Sequence, residues 1–139
     1  MIGRLAAASL LLAVSLGLVA CGKSDNPRAR GKVVAAASGP GGAEAVAAAD
    51  QIFSSRCTPC HGSTGGGDGP ASASLNPHPR NFHDVSWQKA VDDDHIGKIV
   101  QYGGAAVGKS PNMPANPDLQ DKPLVVQALV HKVRGFAAQ

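Results

Sequence analysis

Residues 57–61 read CTPCH: two cysteines three positions apart, with a histidine directly behind the second. The spacing has a chemical reason. Thiols at Cys57 and Cys60 can each add to one vinyl group of the same porphyrin, and His61 then stands where its imidazole faces the iron, which makes CxxCH the usual acceptor sequence for covalently attached haem. Two other uses of a CxxC pair fit poorly. A structural zinc site takes about four ligands, and the chain has no second cysteine pair. A dithiol-exchange site belongs at a strand-to-helix junction, and no strand pattern precedes Cys57. The motif predicts thioether anchors at Cys57 and Cys60 and a proximal ligand at His61.

The apolar residues on either side follow a helical period. Ala45, Val46, Ala49, Ile52 and Phe53 place a helix over about Glu44–Arg56, leading into the motif. The run Asp92, Asp93, Asp94 suits a helix N-terminus, followed by Ile96, Ile99 and Val100 on one side, with a stop at Gly103. A last helix begins near Asp121 with Pro123 in its first turn and presents Leu124, Val125, Ala128, Leu129 and Val133; it should pack against the first. Trp87 opens a short additional helix with Ser86 as its cap. No segment alternates like a strand, so the class is all-α. Glu44–Gln139 holds only three Phe, one Tyr and one Trp, a thin core for so small a domain, and a buried haem would add apolar volume.

Between the motif and the second helix runs STGGGDGPASASLNPHPRNFHD, residues 63–84, whose glycines and prolines predict a long irregular loop able to wrap a flat ligand. A metal-bound histidine needs an acceptor for its other ring N–H, and the Pro70 carbonyl is the candidate. Past the N-terminal segment the chain has one methionine, Met113, in GKSPNMPANP. A lone Met between prolines is poor core material, whereas thioether sulfur suits haem iron. Met113 is the expected second axial ligand. The alternative is bis-His ligation through His83, with His78 in the same loop and His95 and His131 on helices.

Cys21 has its own explanation. It ends a stretch that starts after Arg4 and runs uncharged from Leu5 to Ala20, which predicts a signal peptide over residues 1–20. Leu18, Val19, Ala20 and Cys21 resemble the lipobox of bacterial lipoproteins, so Cys21 is the expected lipid anchor. Sixteen uncharged residues fall short of the roughly 20 that a spanning helix needs. Residues 22–43 are rich in Gly, Ala, Ser, Lys and Arg and read, together with the anchor at position 21, as a flexible tether, spanning roughly 25 Å as a random chain. Residues 44–139 form the expected domain.

The formal charge of +3 is unevenly divided. The tether carries Lys23, Arg28, Arg30 and Lys32 against Asp25, whereas from Glu44 onward eight Lys or Arg face nine Asp or Glu, a difference of −1. Nothing there suggests nucleic acid as a partner.

Taken together, CTPCHG, GDGP, LNPHPRNF, the YGGAAVGKSPNMP run and the closing amphipathic helix resemble the single-haem cytochromes c of class I, joined to a lipoprotein signal. The resemblance covers roughly Glu44–Gln139. It implies a cytochrome c fold of three or more helices around one covalently attached haem c, His/Met ligation, a proline carbonyl on the proximal histidine, and one-electron transfer. By position those roles fall on Cys57, Cys60, His61, Pro70 and Met113. One departure concerns the last helix: many relatives carry an aromatic residue just before a Val-Arg or Ile-Arg pair, where this chain has Lys132 before Val133 and Arg134, with Phe136 as a candidate replacement. Arg80, Asn81 and Trp87 are candidates for haem-edge contacts.

The expected role is a membrane-tethered electron carrier, or an electron-transfer subunit of a larger respiratory or dehydrogenase complex, on the periplasmic side of a bacterial membrane, with redox proteins as donor and acceptor. No carboxylate, Ser/His or Lys constellation points to other catalysis, so the chain is not expected to be an enzyme. The alternative, a gas sensor or peroxidase-like enzyme, requires an open sixth position on the iron.

Overall fold

A computed structural model describes residues 41–138. The expected signal peptide over 1–20, Cys21 and the tether as far as residue 40 lie outside the described residues. Within them the chain is helical and carries no strand, as the periodicity implies.

The first helix, α1 (Gly42–Ile52), starts two residues before the predicted Glu44 and does not stop before the motif. It continues through a five-residue π-helical turn, Phe53–Cys57, directly into α2 (Thr58–His61). Ser54 and Ser55 donate from their hydroxyls to the Gln51 carbonyl at 2.9 and 2.7 Å, and Thr58 donates to the Phe53 carbonyl at 3.1 Å. These side-chain donors take up carbonyls along the widened turn. π turns inside α-helices are rare and recur at functional sites.

The helix after the loop, α3 (Val85–Ala90), is capped by Asp84, whose carboxylate accepts from the Trp87 backbone N–H at 3.0 Å, and not by the predicted Ser86. An acceptor at N-cap reaches the N–H of the third residue on, and Asp84 has that register. α4 (Asp93–Tyr102) is capped by Asp92, with Asp93 and Asp94 in its first turn, and ends before Gly103. α5 (Pro123–Gly135) has Pro123 at its start.

The inward face of α5 differs from the predicted one. Val126, Leu129, Val130 and Val133 are buried, whereas Leu124 is 39% exposed. The spacing i, i+3, i+4, i+7 defines a single stripe, and Leu124 falls off it. This stripe packs in one core with Ala49 of α1, with Phe53 at the head of the π turn and with Ile96 of α4, and lies against Gly97. α1 with α5 is the most extensive pairing of elements in the fold.

Phe136, just beyond α5, replaces the missing aromatic contact between the terminal helices. Its ring lies 5.3 Å from that of Phe53 and 6.0 Å from that of Phe82. Gly65 lets the loop close over it: a Cβ there would stand 2.8 Å from the Phe136 ring, and the backbone sits at φ 79°. Lys132 takes part as well, with its ammonium 5.3 Å from the Phe53 ring centroid and 2.7 Å from Asp50 on α1.

These contacts differ in weight. Replacing a buried Phe by Ala typically costs about 3–5 kcal/mol, whereas an exposed cation–π contact contributes about 0.5–1 kcal/mol. Phe136→Ala should therefore lower the denaturation free energy by about 3–5 kcal/mol, and Lys132→Met by less than about 1 kcal/mol, in chemical denaturation followed by circular dichroism.

Candidate functional site

Cys57, Cys60 and His61 fall on one continuous helical stretch, the last residue of the π turn followed by α2. Both cysteines are free thiols and half-buried. Burial pushes the Cys57 thiol up to about 11, against the opposing pull of Arg56. A thiol of that kind is protonated at neutral pH and is the reverse of the low-pKa thiolate that dithiol exchange needs.

His61 is 9% exposed and its environment is specific. Its Nδ1 lies 3.1 Å from the Arg80 carbonyl oxygen. A carbonyl only accepts, so Nδ1 carries the proton and Nε2 presents a lone pair. Burial lowers the pKa of the imidazole below its usual value, partly offset by that hydrogen bond. One face of the ring is stacked on Phe82, with centroids 4.5 Å apart and planes 14° from parallel. A neutral imidazole of fixed tautomer with its second nitrogen hydrogen-bonded is the form in which histidine binds a metal.

The acceptor is Arg80 and not the predicted Pro70, for a reason visible in the loop. Gly67, Gly69 and Ala71 donate their backbone N–H groups to the carbonyls of His61 (2.8 Å), Cys60 (3.1 Å) and Pro59 (2.8 Å). Residues 67–71, Pro70 among them, are thus laid along the motif's own backbone. The later segment, 79–82, reaches the ring. Gly67 permits the crossing: at φ 81°, a Cβ would stand 2.6 Å from the Pro79 carbonyl oxygen. A backbone carbonyl has no side-chain signature, so the sequence held no direct sign of Arg80's role.

Arg80, Asn81 and Trp87 have local partners. The Arg80 guanidinium lies 5.7 Å from the Trp87 ring centroid and 3.6 Å from Asp84, Asn81 accepts from the His83 N–H at 2.8 Å, and Trp87 stacks on Phe82 at 5.8 Å. His83 is engaged with the C-terminal turn, its Nδ1 3.0 Å from the Phe136 carbonyl. His78 is exposed.

Met113 is half-buried on a separate loop after α4. Its carbonyl accepts from the Gly104 N–H at 3.0 Å and its own N–H donates to Ser110 at 3.3 Å. The loop is tied to the motif through Arg56, the neighbour of Cys57. Arg56 makes a two-pronged contact with Asp118 at 2.8 and 3.1 Å and reaches Asn116 at 3.1 Å. Asn116 in turn donates to the Val100 carbonyl at 2.7 Å and to the Gln101 carbonyl at 2.9 Å. The structure thus joins the cysteine turn, the end of α4 and the Met113 loop at one clamp. A groove of about 300 Å³ between α4 and α5, lined among others by Gly97 and Gln101, contains none of Cys57, Cys60, His61 and Met113.

The Cytochrome c family model matches residues 46–125, more than half of the chain. The chain belongs to the Cytochrome c family. No curated protein and no solved structure matches it. The family binds covalently attached haem c and works in haem-based electron transfer, and Cys57, Cys60 and His61 supply the attachment spacing. The donor set fits that group: two uncrosslinked thiols one turn apart, and an imidazole whose tautomer leaves Nε2 free. The match ends at Val125, so most of α5, with Lys132, lies beyond it.

The Arg56 clamp has a pH signature. The hydrogen bond from Arg56 holds the Asp118 carboxyl below the usual carboxylate range. A folded-state pKa below the unfolded one contributes stability above the unfolded value, about 3.9, and loses it as pH falls through the folded value. Wild type and Asp118→Asn should therefore differ in denaturation midpoint by a steady amount from about pH 5 to 8, and the gap should close on acidification. Added salt should narrow it at neutral pH.

Proposed function

We propose that the protein transfers single electrons through one haem c ligated by His61 and Met113, while tethered to a membrane by a lipid on Cys21. The observation that carries this reading is the His61 site: a buried, neutral imidazole locked in one tautomer on the turn that holds both thiols. Haem c supplies an iron that cycles between ferric and ferrous states. Cys57 and Cys60 would hold the group in place covalently. His61 would donate Nε2, and the Arg80 carbonyl keeps its ring from turning. Met113, flanked by Pro111 and Pro114 on the loop tied back through Asn116, would supply a thioether sulfur as the second iron ligand. A closed sixth position suits outer-sphere transfer and works against ligand or peroxide chemistry at the metal.

In this reading the protein is a carrier or a subunit of a respiratory or dehydrogenase complex, and not an enzyme; it exchanges electrons with protein partners on the periplasmic side of a bacterial membrane. No helix among the described residues is long and apolar enough to cross a membrane; the attachment in this reading is the lipid on Cys21. The charge balance of the domain argues against a nucleic-acid partner.

Met113 is tested by the weak near-infrared sulfur-to-iron charge-transfer band of the ferric protein. The wild type should show it and Met113→Ala should lack it; a low-spin wild type without the band would favour His83 instead. The same closed position predicts that the ferrous protein binds carbon monoxide slowly or not at all near neutral pH. Rapid stoichiometric binding in stopped flow would favour a sensor.

Anchoring is tested separately. Each buried methylene contributes about 0.8 kcal/mol, so several acyl chains hold almost irreversibly. Cys21→Ser should move the protein from the membrane to the soluble fraction without altering its haem spectrum.

A further inference from the structure

We propose that Gln88 is a positioning residue for the His61 side of the haem site, acting through the backbone of residues 80–82. This rests on His61 being an iron ligand. Gln88 lies on α3 and is half-buried. Its side-chain amide donates to the Phe82 carbonyl at 2.8 Å and to the Val133 carbonyl at 2.9 Å, and its Oε1 accepts from Arg134 at 2.9 Å. Both N–H groups and one oxygen lone pair are thus committed, in three directions.

The segment so held touches His61 twice. The Arg80 carbonyl accepts from Nδ1, and two residues on the Phe82 ring stacks on the imidazole. From the other side the Phe82 N–H donates to the Gly65 carbonyl at 2.8 Å. Residues 80–82 therefore lie between the ligand and one amide, and Gln88 is the side chain that ties this segment to α5.

Arg134 fixes Gln88 in turn. Its guanidinium donates to the Gln88 carbonyl at 2.6 Å, to the Val91 carbonyl at 2.7 Å and to Asp93 at 2.7 Å. It thereby fastens the junction of α3 and α4 to the end of α5. The geometry assigns to this pair control over the strength of the Nδ1–H bond, and so over the electron donation of the ligand. A hydrogen bond from the distal nitrogen raises the basicity of a metal-bound imidazole, which favours ferric iron. Releasing Phe82 weakens that bond and disfavours the ferric state.

The test uses the haem-loaded protein with Gln88→Leu, which removes the donors without adding charge. Gln88→Asn keeps the amide one methylene short of both carbonyls and serves if the leucine variant does not fold. Two readouts are taken: the midpoint potential, and the His61 Nδ1–H proton resonance in the diamagnetic ferrous state. Both variants should raise the potential and move that resonance upfield. Val126→Ala, which removes contacts over Gly97 at the opposite end of α5, is the control for general destabilisation and should leave both readouts at wild-type values. A wild-type potential in the Gln88 variants, or an equal shift in Val126→Ala, overturns the proposal. The underlying ligand assignment is checked with His61→Gly: loss of the low-spin spectrum and its return on adding imidazole uphold it, whereas an unchanged spectrum removes the assignment and the proposal together.

Discussion

The hydrogen bond between His61 Nδ1 and the Arg80 carbonyl is the constraint on which the rest of the site depends. It sets the tautomer, and with it which nitrogen is available to a metal. It also dictates the path of the loop. Residues 67–71 run along the carbonyls of the motif and residues 79–82 then return beneath the ring, a route open only where glycine removes a Cβ from the crossing. Once Arg80 is fixed, Phe82 falls against the imidazole, Asp84 caps α3, and Trp87 is brought under both Phe82 and the Arg80 guanidinium.

The same arrangement merges core and site. Phe53, Phe136, Phe82 and His61 form a continuous series of ring contacts between 4.5 and 6.0 Å. The interface of the terminal helices therefore ends on His61 itself. Lys132 in place of an aromatic residue does not break the series, because Phe136 fills the interior and Lys132 closes the outer edge against Asp50. Arg134, two residues further along α5, carries the connection round to α3 and α4.

What the sequence disclosed and what it withheld divide along a physical line. CTPCH, the helical period around Ala45–Phe53 and the acidic start of α4 are side-chain signals, and side chains are what a sequence records. The inward stripe of α5 was legible as a helix but not in register, because Leu124 and Val126 are equally apolar and only packing against α1 and α4 separates them. The identity of the His61 acceptor was not legible at all. Every residue, glycine and proline included, carries the same carbonyl, and which one reaches the ring depends on backbone bonds at Gly67, Gly69 and Ala71. The role of Gln88 is hidden for a similar reason: both acceptors of its amide are main-chain atoms.

The π turn at Phe53–Cys57 acts as a one-residue phase shift between two helical faces. In a regular α-helix each residue advances the azimuth by about 100°, so an extra residue accommodated in one wide turn displaces everything beyond it by that angle. Ala49 ahead of the turn and Phe53 at its first residue belong to the core packed on α5; Cys57 at its last residue and His61 beyond it stand on a face turned by that angle. Deleting a single residue between Phe53 and Cys57 would restore an ideal helix, yet it would swing the cysteines out of phase with the core that anchors α1. The attachment sequence is therefore portable as five letters, but its aim is set by the four residues in front of it.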